Sequence, residues 1–203
     1  MKIIVLAHDR EWNELITSNV DVEWVRINEA PLFSNYLDAN AFFNLDNEAW
    51  RADYSFSTKP IFINSVCHTL KEINAPENVI RINAWAGFIN RAAWETAGNI
   101  TENVKNVLTI LNKKIIPVKD EPGFIAARII AMIVNEAYFA KGDGVSTEAE
   151  IDIAMKLGTN YPFGPFEWGN KIGLKNICEL LNNLALEDSR YKIAPVLIAE
   201  SHK

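Results

Sequence analysis

Glycine is scarce in this chain: only nine occur in 203 residues, and the first is Gly87. The opening stretch therefore lacks the side-chain-free backbone that lets a dinucleotide's pyrophosphate approach a strand-to-helix turn. Cysteine is limited to Cys67 and Cys178, and histidine to three residues. Apart from the adjacent pair Cys67-His68, neither thiol has a partner at zinc-ligand spacing, so a reduced, cytoplasmic, metal-free protein is the expectation. No uninterrupted apolar run approaches the roughly 20 residues of a membrane helix. Met1 to Ala7 is too short for the apolar core of a signal peptide and meets the charged run His8-Asp9-Arg10-Glu11 at once. Excess positive charge is also missing. A formal charge of −6 and a pI near 5.2 leave no electrostatic basis for binding nucleic acid or an anionic membrane.

Apolar residues, by contrast, make up 49% of the chain, enough for a sizeable core. The run Lys2-Ile3-Ile4-Val5-Leu6-Ala7 reads as a strand buried on both faces. A short helix follows it, with Asp9 as its cap and Trp12, Leu15 and Ile16 on one face. Further strands are read at Val22–Ile27, Ala41–Leu45, Pro60–Ser65 and Val79–Trp85. A helix with Val104, Val107, Leu108 and Leu111 inward precedes a last strand at Ile115–Val118. Strands alternating with short helices imply a reduced, Rossmann-like α/β domain over residues 1–118.

From residue 119 to 203 every pattern is helical. Pro122-Gly123 is read as opening a central apolar helix that carries Phe124, Ile125, Ile129, Ile133, Val134 and Ala137. Thr147 and Glu150 form a capping box, Gly158 is placed to end that helix, and Pro165 fits the first turn of another. Leu174 to Leu186 makes a fourth helix. The tryptophans, Trp12, Trp24, Trp50, Trp85, Trp94 and Trp168, read as core residues rather than ligand platforms.

The second half carries a set of ordered motifs. They are Val118-Lys119-Asp120-Glu121-Pro122-Gly123-Phe124-Ile125, then Asn135-Glu136-Ala137, Gly144-Val145, and Asp152-Ile153-Ala154-Met155-Lys156-Leu157-Gly158. Tyr161-Pro162-Phe163-Gly164-Pro165-Phe166-Glu167 follows, and Arg190-Tyr191 with Pro195 closes the set. Each alone is ordinary helix punctuation. In this order and spacing they resemble the C-terminal domain of the bacterial 3-hydroxyacyl-CoA (3-hydroxybutyryl-CoA) dehydrogenases, and the chain is similar to a divergent, shortened member of that family. The resemblance implies a Rossmann-like domain followed by an all-α domain, a homodimer formed through the C-terminal helices, and an acyl-CoA-like ligand.

The resemblance also locates changed residues. Where the family has its Gly-x-Gly-x-x-Gly turn, this chain reads Ala7-His8-Asp9-Arg10-Glu11-Trp12. Side chains there, with acids Asp9 and Glu11, oppose a diphosphate, so no cofactor is expected although the family uses NAD. Glu29 lies about where the family has its ribose-binding acid, and reads equally well as a solvated loop residue. The family's catalytic His position falls on Asn83, and its Glu, twelve residues on, is Glu95. An amide cannot take a proton near neutral pH. The substrate-binding positions implied are Cys67 (or Val66, for the family's Ser), His68, Gly123, and Ala127 in place of an Asn. These changes describe a family member that keeps the fold and an acyl-CoA-type cleft without NAD-dependent hydride transfer, a pseudoenzyme of a fatty-acid-metabolising family. Two other readings stand beside it: an active 3-hydroxyacyl-CoA dehydrogenase, and a non-catalytic dimerisation or interaction protein.

Overall fold

The first strand is apolar at every position because both of its faces are covered. In the computed structural model, which describes residues 1–16, 20–47 and 52–202, β1 (Lys2–Leu6) turns Ile3 and Val5 to one side and Ile4 and Leu6 to the other. The same alternation runs through β3 (Ala41–Asn44), β4 (Ile61–Asn64) and β5 (Val79–Ile82), all buried throughout. One face packs on α1 (Asp9–Leu15) and α2 (Glu102–Ile110) through Leu15, Val104, Val107 and Leu108. The other packs on Phe33, within a 3₁₀ helix at Ala30–Asn35, and on Tyr54.

With β2 (Glu23–Ile27), β6 (Ala93–Ala97) and β7 (Lys114–Pro117), these strands form one seven-stranded sheet of order β2-β1-β3-β4-β5-β6-β7. Every pairing is parallel except β5 with β6. The usual dinucleotide-binding order has two strands beyond β1 on the β2 side, and this sheet has one. The sheet belongs to the first of two compact units, Met1–Phe124, and the second is Ile125–Lys203.

Some expectations need correction. The strand β6 was not read from the sequence, because Ala93-Trp94-Glu95-Thr96-Ala97 mixes a charge into a short run; antiparallel pairing supplies what propensity lacks. Asp9 is the first residue of α1, not its cap: His8 holds the N-cap backbone geometry and makes no side-chain cap bond. The Pro122-Gly123 pair does not begin a helix, since Gly123 (φ 83°) and Phe124 (φ 51°) both adopt left-handed backbone, which the right-handed helix forbids. α3 starts only at Ala126 and runs to Gly142. α4 (Glu148–Thr159) passes through Gly158 and ends at Asn160, whose φ of 56° supplies the left-handed cap.

The second unit contains no strand among its described residues. α3 packs against α5 (Pro165–Ile172), α6 (Leu174–Ala185) and α7 (Pro195–Ser201), so it is the central helix. Its buried face is built of Ala127, Ala131, Val134, Ala137 and Tyr138, while Ile125 and Ile129 stay about half exposed. The family-like motifs fasten this bundle. Asn135 is buried; its side-chain amide donates to the Lys192 carbonyl (2.9 Å) and its oxygen accepts from the Ala194 N–H (2.9 Å). Asp152, also buried, accepts from the Phe166 and Glu167 N–H groups at 2.8 and 3.1 Å, so it caps α5 from a neighbouring helix. A Cβ on Gly164 would lie 2.3 Å from the Asp152 side chain, so that turn requires glycine for space. Thr147 and Glu150 form their reciprocal capping box, and hydrogen bonds from the Ser146 hydroxyl first, then from the Thr147 hydroxyl and N–H, lower the Glu150 carboxyl to about 2. Of the tryptophans, Trp85, Trp94 and Trp168 are buried, and Trp12 and Trp24 pack on the sheet's core. Trp50 lies outside the described residues.

Candidate functional site

Doubly wound sheets bind ligands beyond the carboxyl ends of their strands, at the point where neighbouring connections diverge. In this sheet that point is β1, flanked by β2 and β3. A crevice of about 440 Å³ opens there, lined by Leu6, Ala7, His8, Arg26, Ile27, Asn28, Leu32, Tyr36 and Asp46. Arg26 projects from β2 over the turn that leaves β1. Its Nε and Nη2 donate to the Ala7 carbonyl at 3.1 and 2.9 Å, its Nη1 pairs with Asp9 at 2.8 Å, and its guanidinium carbon lies 5.6 Å from the Trp12 ring centre. The turn therefore presents a carbonyl and an acid to a cation, the reverse of the amide-lined turn that holds a phosphate. Asp9 points into solvent at this pair, whereas Glu11 turns inward and is held by Arg10. Glu29 is exposed. His8 stands 3.7 Å from Asp46 across the mouth of the crevice.

Along the same edge, three neighbouring strands end in buried asparagines: Asn44 and Asn64 close β3 and β4, and Asn83 follows β5. Asn44 donates to the Tyr54 hydroxyl (2.8 Å) and Asn64 to the Leu45 carbonyl (3.3 Å). Burial pushes the Tyr54 phenol up to about 12, and the Asn44 bond opposes that shift. Continuing the antiparallel register Ile82↔Thr96 by one residue sets Asn83 opposite Glu95. The Asn83 amide donates to a Glu95 carboxylate oxygen at 3.3 Å. The two positions twelve residues apart are therefore in contact. Glu95 also bears on Arg91: burial lowers that guanidinium's pKa and the nearby carboxylate raises it.

The loop after β4 carries the other positions. Cys67 is buried, and His68 is mostly covered with its Nδ1 4.0 Å from a Glu72 oxygen. Ser65 donates its hydroxyl to the His68 carbonyl (2.8 Å). Gly123 reaches the same loop, donating its N–H to the Val66 carbonyl at 2.8 Å. Asn83, Glu95, Cys67, His68 and Gly123 thus all lie in the first unit; Ala127 lies in the second, wholly buried at the start of α3, where it offers no polar group.

Sequence reasoning singled out neither Arg26 nor Arg81 as site residues. The signal was present in both cases, an arginine inside a β-branched strand run (Val25-Arg26-Ile27 and Ile80-Arg81-Ile82), since a charge in such a run must find partners. Among the described residues no cluster of His, Cys, Asp and Glu has metal-binding geometry, and no helix is long and apolar enough to cross a membrane.

A Rossmann-like sheet followed by a helical second unit is the architecture of solved dehydrogenases. A (S)-3-hydroxybutyryl-CoA dehydrogenase, PaaH1 from Ralstonia eutropha, matches 98% of this chain and 92% of its own with a TM-score of 0.71 at 18% identity. FadB2 from M. tuberculosis matches 98% and 93% with a TM-score of 0.78 at 13% identity. In sequence, residues 123–201 match the family model described as 3-hydroxyacyl-CoA dehydrogenase, C-terminal domain. The chain is 47% identical to a 3-hydroxyadipyl-CoA dehydrogenase of Escherichia coli over 72 residues, 36% of this chain and 15% of that protein. It is 42% identical to a 3-hydroxybutyryl-CoA dehydrogenase of Clostridioides difficile over 89 residues, 43% of this chain and 32% of that protein. These sequence matches span a third or less of each relative. Residues 123–201 are thus similar to the C-terminal domain of the 3-hydroxyacyl-CoA dehydrogenases, and the whole chain shares their fold.

Proposed function

We propose that this chain is a 3-hydroxyacyl-CoA dehydrogenase-like protein that binds an acyl-CoA-type ligand without NAD-dependent hydride transfer. The observation that carries the reading is Arg26, whose guanidinium occupies the Ala7 carbonyl and Asp9 where a dinucleotide would need bare backbone N–H groups. A second, separate obstacle lies at Asn83. Oxidation of an alcohol to a ketone needs a base for the hydroxyl proton, and the residue paired with Glu95 is an amide. The acyl-CoA class comes from the activities of the relatives. The exposed apolar residues of the second unit, Ile125, Ile129, Ile153 and Leu157, support a homodimer through the C-terminal helices.

Fluorescence titration of NADH tests this reading, with turnover of acetoacetyl-CoA followed at high enzyme concentration and light scattering in the same buffer. Expected are no saturable NADH binding below about 100 µM, turnover under about 1 s⁻¹, calorimetric binding of acetoacetyl-CoA, and twice the 22.9 kDa chain mass. The two obstacles are independent, so Asn83→His with Ala127→Asn stays inactive while Arg26 and the turn are unchanged. Tight NADH binding with ordinary turnover would make the chain a working dehydrogenase. Failure to bind acetoacetyl-CoA would leave an interaction protein.

A further inference from the structure

Arg81 is the largest charged side chain in the core, with no exposed surface. All three of its guanidine nitrogens are engaged, and every partner comes from one of two segments. From the loop after β4, the Ser65 carbonyl accepts from Nε (2.8 Å) and the Val66 carbonyl from Nη2 (3.2 Å). From the segment after β7, Asp120 accepts from Nη1 (2.6 Å) and the Glu121 carbonyl from Nη1 and Nη2 (both 3.3 Å). The Phe124 ring lies 4.6 Å from the guanidinium carbon. The Asp120 carboxylate reaches back, accepting from the Leu70 and Lys71 N–H groups at 3.0 and 3.3 Å.

Two features indicate that this clamp does more than fill space. A buried guanidinium is costly unless every N–H is paired, so an apolar residue would serve a mere core position at lower cost. The segment it grips also contains consecutive left-handed residues, Gly123 and the buried Phe124, and a non-glycine residue holds that conformation only when its surroundings impose it. The gripped loop carries the buried thiol of Cys67, directly after Val66, whose carbonyl Arg81 holds.

The geometry points to Arg81 as a positioning residue that locks the Ser65–His68 loop to the Asp120–Phe124 turn and thereby sets access to Cys67. That Cys67 neighbours an acyl thioester rests on the function proposed above; the clamp itself does not, and the two are tested separately. In a Cys178→Ser background Cys67 is the one remaining thiol, and its reaction with an aromatic disulfide reagent reports access. Arg81→Met should accelerate that reaction about tenfold or more through local opening, with the near-ultraviolet signal of the buried tryptophans unchanged. Asp120→Asn, which removes the charge and spares the carbonyl acceptors, should give a smaller acceleration. Unchanged reactivity in both variants would overturn the clamp, as would acceleration seen only together with loss of the near-ultraviolet tryptophan signal in both. Acetoacetyl-CoA affinity is measured on the same proteins. Weakening in Arg81→Met alongside a faster thiol extends the clamp to the ligand. A wild-type protein that does not bind acetoacetyl-CoA sinks the proposed function and leaves the thiol result standing.

Discussion

The two units preserve different things. The second keeps family-like residues, and the first keeps a family-like sheet around altered ones. In the second unit the motif side chains fasten backbone: Asn135 ties α3 to the Lys192–Ala194 segment, and Asp152 caps α5. Such residues cannot change without leaving buried polar groups unpaired. In the first unit, the positions that the resemblance aligns with cofactor and proton-transfer residues are held by Ala7, in the sheet's core, by the exposed Asp9 and by Asn83, buried against Glu95. The lesson is physical. Where a motif residue is a structural bond, the fold itself holds it in place; where it only meets a ligand, nothing in the fold retains it.

Removing Asn135 is the most severe way to break the comparison. Asn135→Ala leaves the Lys192 carbonyl and the Ala194 N–H without their side-chain partner, and should cost about 3 kcal/mol. Urea denaturation measures it; a loss under about 1 kcal/mol would make the motif dispensable and end the contrast.

The first unit should show its largest polar effect at high pH. Tyr54, whose phenol is raised from 10 to about 12 by burial, stabilises the fold fully below pH 10, where it is neutral in both states. As pH rises from 10 towards about 12 the unfolded chain ionises first, and about 2 kcal/mol is lost. Ultraviolet difference titration beside alkaline unfolding checks this, and Tyr54→Phe should remove that part of the pH dependence. A phenol that titrates near 10 would show that the Asn44–Tyr54 contact opens to water.

A smaller effect sharpens the contrast within the second unit. Thr147→Ala removes one half of an exposed capping box and should cost about 1 kcal/mol, less than the buried Asn135 clamp. Thermal unfolding that ranks Thr147 above Asn135 would reverse the order that burial imposes.

Helix punctuation and strand runs were legible because they are local: Thr147 with Glu150, Pro165 at a first turn and Ile3 to Leu6 in a covered strand depend on neighbours in sequence. The motifs of the second half were legible for the same reason, and they match residues 123–201 to a known domain. The missing glycines before Gly87 were visible as well, and so was the Asn83–Glu95 spacing. Sequence alone thus determined the fold class and the loss of the glycine turn. Only the tertiary structure decided that Glu95 reaches Asn83 across an antiparallel strand, that Gly123 and Phe124 form a left-handed turn instead of a helix start, and that Arg26 and Arg81 are each held by partners far along the chain. Those facts depend on register and on long-range partners of buried charge, such as Asp120 thirty-nine residues from Arg81, and no local pattern encodes which distant carbonyl a guanidinium will find.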